Sequence, residues 1–458
     1  MIDLLTLAQD VRVLDAFGTK WSNQNTMNPL GAGMTGAAAL FMLLLPRRWA
    51  ILPLIFLACF VATAQRIVVG GLDFNILRIL VAVGFVRVAM RREASDVSWN
   101  RLDALVLGFS VVRTAMYTLQ HMTPQALIFQ LGMTFDTVGL YFLMRVLLRT
   151  RADIVRAIVG FVLAAAPVCA FFALEKSTGR NMFSVFGGVP AVTAIREGRL
   201  RCQGAFSHPI IAGCFWASVL PLMGVLWFAH GWLRLAGLVG IACVLAIVFF
   251  CASSTPVAGV LAAGIGAAFY VLRRRMFAVR LAAGALLVLL HFVMEAPVWH
   301  LISRVSLAQG STSYFRFRLI DSAIHRFDEW ALIGTSSTAH WFWGAQDITN
   351  HYILEGVRGG ALSLMLFIAI IAVAFAMVGR VRMSTEGQRL PTFFVWALGV
   401  SLFVHCINFL GVSYFGQAPL VWFFTLAAVA STFEQSTPRV RAAEPAPPRG
   451  FTQLAISA

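Results

Sequence analysis

The chain has 458 residues, of which 59% are hydrophobic and only 12% are charged. A soluble domain carries about twice that share of charged residues, so the composition excludes a soluble enzyme, a disordered scaffold and a secreted disulfide-stabilised protein. The formal net charge of +16 would indicate nucleic-acid binding in a soluble chain. Here most of the positive charge lies in short segments between apolar runs. We therefore expect a polytopic protein of the lipid bilayer, with no nucleic-acid partner.

In chain order, apolar runs of spanning length recur from residue 29 to residue 432. They predict an all-α transmembrane helix bundle with about 12 or 13 spans. One of them, 49–64, is short and fits a re-entrant element as well as a span. The predicted spans are 29–46, 49–64, 74–90, 102–120, 125–147, 154–174, 209–229, 233–252, 256–272, 279–294, 351–379, 391–412 and 417–432.

Arginines cluster in the short segments that fall on one side of the bilayer if every run crosses it. The positive-inside rule makes this side cytoplasmic. The tail 433–458 adds arginines and prolines and is expected to be a disordered cytoplasmic tail. Residues 1–20 carry aspartates that a cleavable signal peptide would not contain. The arginines that set this orientation are Arg47, Arg48, Arg91, Arg92, Arg145, Arg149, Arg151, Arg273, Arg274, Arg275, Arg380 and Arg382.

Two long loops, 175–208 and 295–350, then face the other side, which is the periplasm for a bacterial inner membrane. They separate three transmembrane regions, 1–174, 209–294 and 351–432. The second loop is rich in aromatic residues, and we expect short helices on the membrane surface. Long loops can escape the topology rule and contact lipid headgroups, but we favour a cationic pocket for an anionic group. Their basic residues are Lys176, Arg180, Arg196, Arg199, Arg201, Arg304, Arg316, Arg318 and Arg326.

A few charged residues fall inside or beside the apolar runs. Arg113 and Asp136 lie within spans, and Arg78 lies near the start of one. Because a charge in the bilayer is costly, each marks either a functional site or an internal ion pair. For a pair between Arg113 and Asp136 both interpretations stay open. Arg66 and Arg78 lie on the side of the two long loops, and we favour a functional role for them.

Three stretches in and around the long loops resemble the O-antigen ligase and polymerase family of bacterial polysaccharide-assembly proteins. Residues 201–209 read RCQGAFSHP, similar to the family pattern RxxGxFxxP. Residues 316–334 read RFRLIDSAIHRFDEWALIG and resemble the family's segment in the large loop. Residues 347–360 read DITNHYILEGVRGG and resemble its HNxYL…G segment before the next span. The turn 253–256, SSTP, lies where many members have SR or SG.

The resemblance implies a membrane glycosyltransferase with a helical architecture similar to the GT-C type. Such enzymes take a glycan from an undecaprenyl diphosphate carrier at the periplasmic face and pass it to an acceptor. The acceptor is lipid A-core in ligases and another carrier-linked glycan in polymerases. No metal, nucleotide sugar or other cofactor is implied, and other polysaccharide-assembly proteins are candidate partners.

The family's two key arginines map onto Arg201 and Arg316, where they are implied to hold the diphosphate. A fixed guanidinium suits this task because it stays protonated and makes bidentate contacts with phosphate. The neighbouring Arg199 and Arg318 are alternative candidates that could substitute for them. As second-tier substrate-binding cations we name Arg66 and Arg78.

The general base is less well matched. With Asn350 and Tyr352 aligned as substrate-binding residues, Thr349 fills the position of the ligase histidine. Threonine is not a base, so His351 is the catalytic candidate, with His340 as an alternative, since histidine titrates near neutral pH. This departure favours a polymerase or exopolysaccharide-assembly protein over a lipid A-core ligase.

Three rival functions remain at this level. A transporter or flippase of lipid-linked oligosaccharide is the main alternative, but it predicts inverted repeats, which the sequence does not show. A non-catalytic scaffold would not need Arg201 and Arg316, and a channel would need a filter motif. The seven cysteines contain no CxxC pair and lie mostly in apolar runs, so we expect neither a disulfide framework nor a zinc site.

Overall fold

A computed structural model describes residues 25–95, 97–229, 231–304 and 313–436 of the chain. Most of the predicted tail, from residue 437 onward, and the N-terminal residues 1–24 lie outside the described residues. Helices dominate the described part. In chain order they are α1 (Pro29–Leu44), α2 (Leu52–Phe60), α3 (Ile76–Met90), α4 (Arg101–His121), α5 (Pro124–Leu147), α6 (Arg151–Thr178), α7 (Pro209–Met223), α8 (Trp232–Phe250), α9 (Ser254–Ala268), α10 (Met276–Val293), α11 (Leu301–Arg304), α12 (Ser313–His325), α13 (Phe327–Trp330), α14 (His351–Thr385), α15 (Arg389–Gly411) and α16 (Ala418–Ser436).

Polar residues at the borders of the apolar runs set where several of these helices begin and end. At the start of α4, Asn100 and Asp103 form a reciprocal capping box, and Thr150 and Asp153 do the same for α6. These side chains satisfy backbone N–H groups that have no partner inside the helix. Helix α6 ends at Gly179, whose left-handed backbone (φ 69°) costs glycine little.

Eight helical stretches of the described residues are long and apolar enough to cross a membrane. This confirms the coarse prediction of an all-helical, multi-pass membrane protein. The stretches are Arg101–His121, Pro124–Leu147, Arg151–Thr178, Pro209–Phe228, Trp232–Phe250, Ser254–Val293, His351–Thr385 and Leu390–Gly411.

The remaining predicted spans take several forms. The short run 49–64 contains α2, whose nine residues rise about 14 Å, well under the roughly 30 Å of a bilayer core. The predicted spans 256–272 and 279–294 share one 40-residue stretch, in which a 3₁₀ segment, Phe269–Arg275, joins α9 to α10. The runs 29–46, 74–90 and 417–432 form α1, α3 and α16.

Two short antiparallel hairpins accompany the helices. Strands β1 (Arg66–Val69) and β2 (Leu72–Asn75) pair, as do β3 (Ala194–Arg196) and β4 (Arg199–Arg201). The second hairpin lies in the first long loop, which folds back on itself at Glu197 and Gly198, where both residues adopt positive φ. The second loop contains the expected short helices, α11 to α13.

The bundle is densest around α16, which packs against α5, α7, α14 and α15. Nearly every residue of this helix from Ala418 to Thr432 is buried. By contrast, α10 has no buried residue and leaves its apolar side chains exposed.

Candidate functional site

Arg201 is positioned by a tight turn at the end of β4. The buried carboxylate of Glu175 accepts the N–H groups of Gln203 (3.1 Å) and Gly204 (3.0 Å). Gly204 has φ 56°, and a Cβ added there would lie 2.3 Å from the buried ring of Phe172. Only glycine fits this position, which gives the RxxG spacing a physical reason.

Arg316 approaches from the second loop. It lies on α12 and donates a hydrogen bond from Nη2 to Thr255 Oγ1 over 2.9 Å. Thr255 is in the first turn of α9, within the SSTP segment that the sequence singled out. The arginine side chain is thus directed from the loop into the bundle, and the residue is only 9% exposed.

Arg201 and Arg316 both lie near the turn between α8 and α9. Next to Arg201, the N–H of Cys202 donates to the carbonyl of Phe250 (3.1 Å), at the end of α8. Arg316 contacts Thr255 at the start of α9. Burial lowers the pKa of both guanidinium groups, and the charge of Arg196 on β3 lowers it further in each. Arginines from two separate loops therefore repel a common neighbour, which an anion between them would relieve.

The charge of this pair is not balanced within the described residues. Arg201, 8% exposed, makes no side-chain hydrogen bond or ion pair with them, and Arg316 makes only its bond to Thr255. The Nε atom of each is buried without a hydrogen-bond partner. A buried charge without a partner is costly. The arrangement has the properties of an anion site in which the ligand supplies the missing acceptors.

His208 borders the same site at the start of α7. Its Nδ1 accepts the N–H of Ile210 over 3.1 Å, which caps the helix. Burial lowers the pKa of His208 to about 4, and the charges of Arg201 and Arg196 contribute. The ring is therefore neutral at physiological pH, and it does not add a positive charge to those of Arg196, Arg201 and Arg316.

This pKa predicts a pH dependence of stability. Because the folded pKa lies below the ordinary value of 6.5, the contribution of His208 is complete above pH 6.5 and is lost as the pH falls toward 4. His208→Asn keeps a capping acceptor but does not titrate, so this variant is expected to lose less thermal stability between pH 7 and pH 4.5 than the wild type. Melting temperatures in detergent across this range test the prediction. Parallel curves for the two proteins would contradict it.

The predicted base, His351, and its neighbours form hydrogen bonds with backbone groups of the protein. His351 is the first residue of α14, and its Nδ1 accepts the N–H of Tyr414 (3.3 Å). Asn350 caps the helix through the N–H of Ile353 and donates to the carbonyl of Leu410. The Tyr352 hydroxyl donates to the carbonyl of Cys406 (3.2 Å). With Nδ1 engaged, a neutral His351 carries its proton on Nε2, so the geometry favours an internal role, and its role as base stays a prediction.

Below His351 lies a buried ion pair. Glu355, with a side chain 1% exposed, lies 3.3 Å from Arg113 Nε on α4, and its other oxygen lies 3.6 Å from His351 Nε2. A small cavity of about 60 Å³ adjoins these groups and is lined by aromatic rings of α4, α14 and α16. One water needs about 10–15 Å³ of such space, so the cavity has room for a few molecules of that size.

Helix α14 is broken just beyond this pair. Gly360 has φ 72° and ψ 179°, so the helix continues only after a kink. A Cβ at Gly360 would lie 2.4 Å from the carbonyl oxygen of Leu332, because the second loop packs into the break. The N–H of Ala361 donates to the carbonyl of Ala331 (2.8 Å), and that of Thr335 to Val357 (2.8 Å). The loop thus satisfies backbone groups that the break leaves free.

The second-tier arginines are neutralised by carboxylates. Arg78 makes a two-pronged ion pair with Asp136 (2.7 and 2.8 Å), and Arg66 pairs with Asp73 (2.8 Å). The proposed pair between Arg113 and Asp136 is therefore wrong. Arg113 instead pairs with Glu355 on α14, and Asp136 pairs with Arg78 on α3. The separation of these residues along the sequence does not indicate either pair.

The alternative arginines differ from the buried pair. Arg199 is exposed on β4, and Arg318 is exposed with its guanidinium 4.5 Å from the ring centre of Phe342. His340, the alternative base, bonds Glu329 over 2.7 Å in the second loop. The structure thus places the segments of Arg201 and Arg316 against the same turn and gives Arg318 and His340 other partners.

Sequence reasoning missed three residues that shape the site. Glu175 organises the Arg201 turn, and Gln417 and Tyr414 lie in the connector between α15 and α16. The available signals were an acidic residue at the end of an apolar run and a polar stretch, SYFGQ, between two spans. Neither signal indicates its contacts, because Glu175 bonds the far end of its own loop and Gln417 bonds Ala205 across the bundle.

Comparison with known proteins finds no family model that matches the chain and no curated protein that is significantly similar to it. The resemblance described above therefore depends on short motifs in 201–209, 316–334 and 347–360.

Proposed function

We propose that the protein is an inner-membrane glycosyltransferase of the O-antigen ligase and polymerase type, with a GT-C-like helical architecture. It would transfer or polymerise undecaprenyl-diphosphate-linked glycan at the periplasmic face, on the side of the loops 175–208 and 295–350. The acceptor is a second carrier-linked glycan or lipid A-core. Other polysaccharide-assembly proteins are proposed partners.

One observation carries this proposal. Arg201 and Arg316 come from different loops, are both buried at the turn 251–255, and have no carboxylate partner among the described residues. Structural arginines elsewhere in this bundle, such as Arg78 and Arg113, are paired with acids. A pair kept without an acid supports binding of an anionic ligand, and a lipid diphosphate fits its position beside apolar helices.

The reaction needs this charge at its leaving group. The bond between the anomeric carbon and the diphosphate oxygen breaks, and that oxygen keeps the electron pair. The acceptor hydroxyl oxygen forms the new glycosidic bond and loses its proton. Fixed guanidinium groups that meet the developing negative charge lower the barrier without reorganisation. The arginines would therefore stabilise the departing undecaprenyl diphosphate.

Within this family the polymerase or exopolysaccharide role is the one we favour. Thr349 stands where the ligases carry histidine, and the neighbouring His351 uses Nδ1 to bind the backbone of Tyr414. An acceptor activated by a histidine base is thus less well supported here than transfer driven by leaving-group stabilisation.

Deleting the gene and separating surface polysaccharides on a gel tests the proposal. Loss of long chains, with single units still attached to lipid A-core, identifies a polymerase. Carrier-linked glycan that accumulates beside bare core identifies a ligase, and unchanged lipopolysaccharide with lost capsule or slime identifies an exopolysaccharide role. Carrier-linked units that stay on the cytoplasmic side would instead support the alternative, a flippase, and overturn the proposal.

A further inference from the structure

We propose that the connector between α15 and α16, residues 412–417, sets the spacing of Arg201 and Arg316, with Gln417 as a positioning residue. The inference rests on the proposed function, because it concerns how the same arginine pair is held for a diphosphate. The connector itself supplies no charge. Its contribution is a set of hydrogen bonds that join the two loop segments to the bundle.

The first set of bonds fixes the segment that follows Arg201. Gln417 is fully buried, and its Nε2 donates to the carbonyl of Ala205 over 2.8 Å. Its Oε1 accepts the hydroxyl of Thr63 (3.3 Å). Beside it, Gly416 adopts φ 61°, and a Cβ there would lie 3.1 Å from Ser207 Oγ. The connector therefore touches the first loop immediately after the RxxG turn.

The second set reaches the segment that holds Arg316. Thr255, which accepts the bond from Arg316, directs its hydroxyl toward the carbonyl of Gly411 (3.5 Å), the last residue of α15. A Cβ at Gly411 would lie 2.7 Å from the side chain of Thr255, so this side chain packs directly against the backbone of Gly411. Ser413 also donates to the carbonyl of Ile348, at the end of the second loop. The connector, together with the last residue of α15, thus contacts the supports of both arginines.

The connector is in turn anchored inside the bundle. The hydroxyl of Tyr414 lies 2.9 Å from His405 Nδ1, 3.3 Å from Asn408 Nδ2 and 3.4 Å from Ser218 Oγ. These three partners are fully buried on α15 and α7. These contacts with buried partners restrict the position of Tyr414, although Asn408 Oδ1 has no hydrogen-bond partner of its own. Through these contacts Tyr414 fixes the position of the connector relative to α7 and α15.

This arrangement allows a site built from loop residues to be held rigidly. Loops are the more mobile parts of a fold, whereas two cations that share one diphosphate must be held within a fraction of an ångström. Because the supports of both arginines meet at residues 411–417, their relative position depends on the helices rather than on the loops. Removing the bond from Gln417 to Ala205 should release the Arg201 segment without removing any charge.

The test measures binding of farnesyl diphosphate to the full-length protein in detergent, with farnesol as the uncharged comparison. Gln417→Leu keeps the side-chain volume but removes the bond, and we expect the Kd for farnesyl diphosphate to rise about tenfold. Arg201→Ala should raise it more. The matched control is Gln65→Leu, which removes a similarly buried glutamine that bonds Gly187 in the same loop but not the Arg201 turn.

Combining the changes separates positioning from general destabilisation. If Gln417 acts through Arg201, adding Gln417→Leu to Arg201→Ala leaves the Kd unchanged, and Gln65→Leu alone leaves the Kd at the wild-type value. Equal losses in both backgrounds, or an unchanged Kd in Gln417→Leu with a normal melting temperature, would overturn the inference alone. A wild-type protein that binds farnesyl diphosphate no better than farnesol would overturn the proposed function and, with it, the inference.

Discussion

Alanine at Arg201 or at Arg316 is expected to lower the rate of glycan transfer by about 10²–10³-fold, as loss of one fixed donor to a developing negative charge typically does. The bond from Arg316 to Thr255 is the only one that either side chain makes with the described residues, so the folded bundle should persist. The measurement is single-turnover transfer from a prenyl-diphosphate-linked glycan by the purified variants. Chain-length distribution in a complemented deletion strain gives the same comparison in cells.

Two further variants make this prediction specific. Arg180→Ala removes an exposed cation from the same first loop and should leave the rate within about twofold, because exposed charges contribute little. Lysine at position 201 or 316 should recover only part of the rate, since a single ammonium cannot make the bidentate contact. Normal rates in both alanine variants would refute the assignment of the arginine pair.

The second large effect concerns stability. Replacing Glu355 by alanine leaves Arg113 as an uncompensated buried charge and should lower the free energy of unfolding by about 3–5 kcal/mol. The pair is nearly solvent-free, with side chains 9% and 1% exposed. It also joins the first segment of α14 to α4, so its loss should loosen the position of Asn350 and His351. Thermal unfolding in detergent measures the change.

The double variant Arg113→Leu with Glu355→Leu supplies the necessary comparison. Removing both charges of this pair should restore part of the lost stability, because Arg113 is then no longer a buried charge without its partner. Arg326→Ala breaks a half-exposed pair with Glu329 and should shift stability by less than about 1 kcal/mol. A Glu355→Ala protein as stable as Arg326→Ala would show that Arg113 is solvated or differently paired.

Several features of the site were readable from the sequence for local reasons. Arg201 and Arg316 stood out because their neighbours form short patterns, and Gly204 belongs to its pattern because no other residue fits against Phe172. The sequence pattern also included the SSTP turn, but it did not indicate that the Thr255 hydroxyl accepts a hydrogen bond from Arg316. The hairpin β3–β4 was missed because its turn, at Glu197 and Gly198, is flanked by strands of only three residues each.

The sequence does not indicate which charged residues form ion pairs with each other. Arg78 and Asp136 are 58 residues apart, and nothing in either run indicates that their helices are neighbours. The same holds for Gln417 and Ala205, which are separated by 212 residues. In both cases the partner depends on which segments of the folded chain lie next to each other.

Composition alone determined that this chain is a multi-pass helical membrane protein, because the free energy of placing apolar side chains in lipid is a sum over local residues. Only the tertiary structure decided which arginines keep a free charge and which are neutralised, and that a six-residue connector would hold the supports of Arg201 and Arg316. Those outcomes depend on distances between segments far apart in the chain, and electrostatic and hydrogen-bond energies are fixed by distance rather than by order along the sequence.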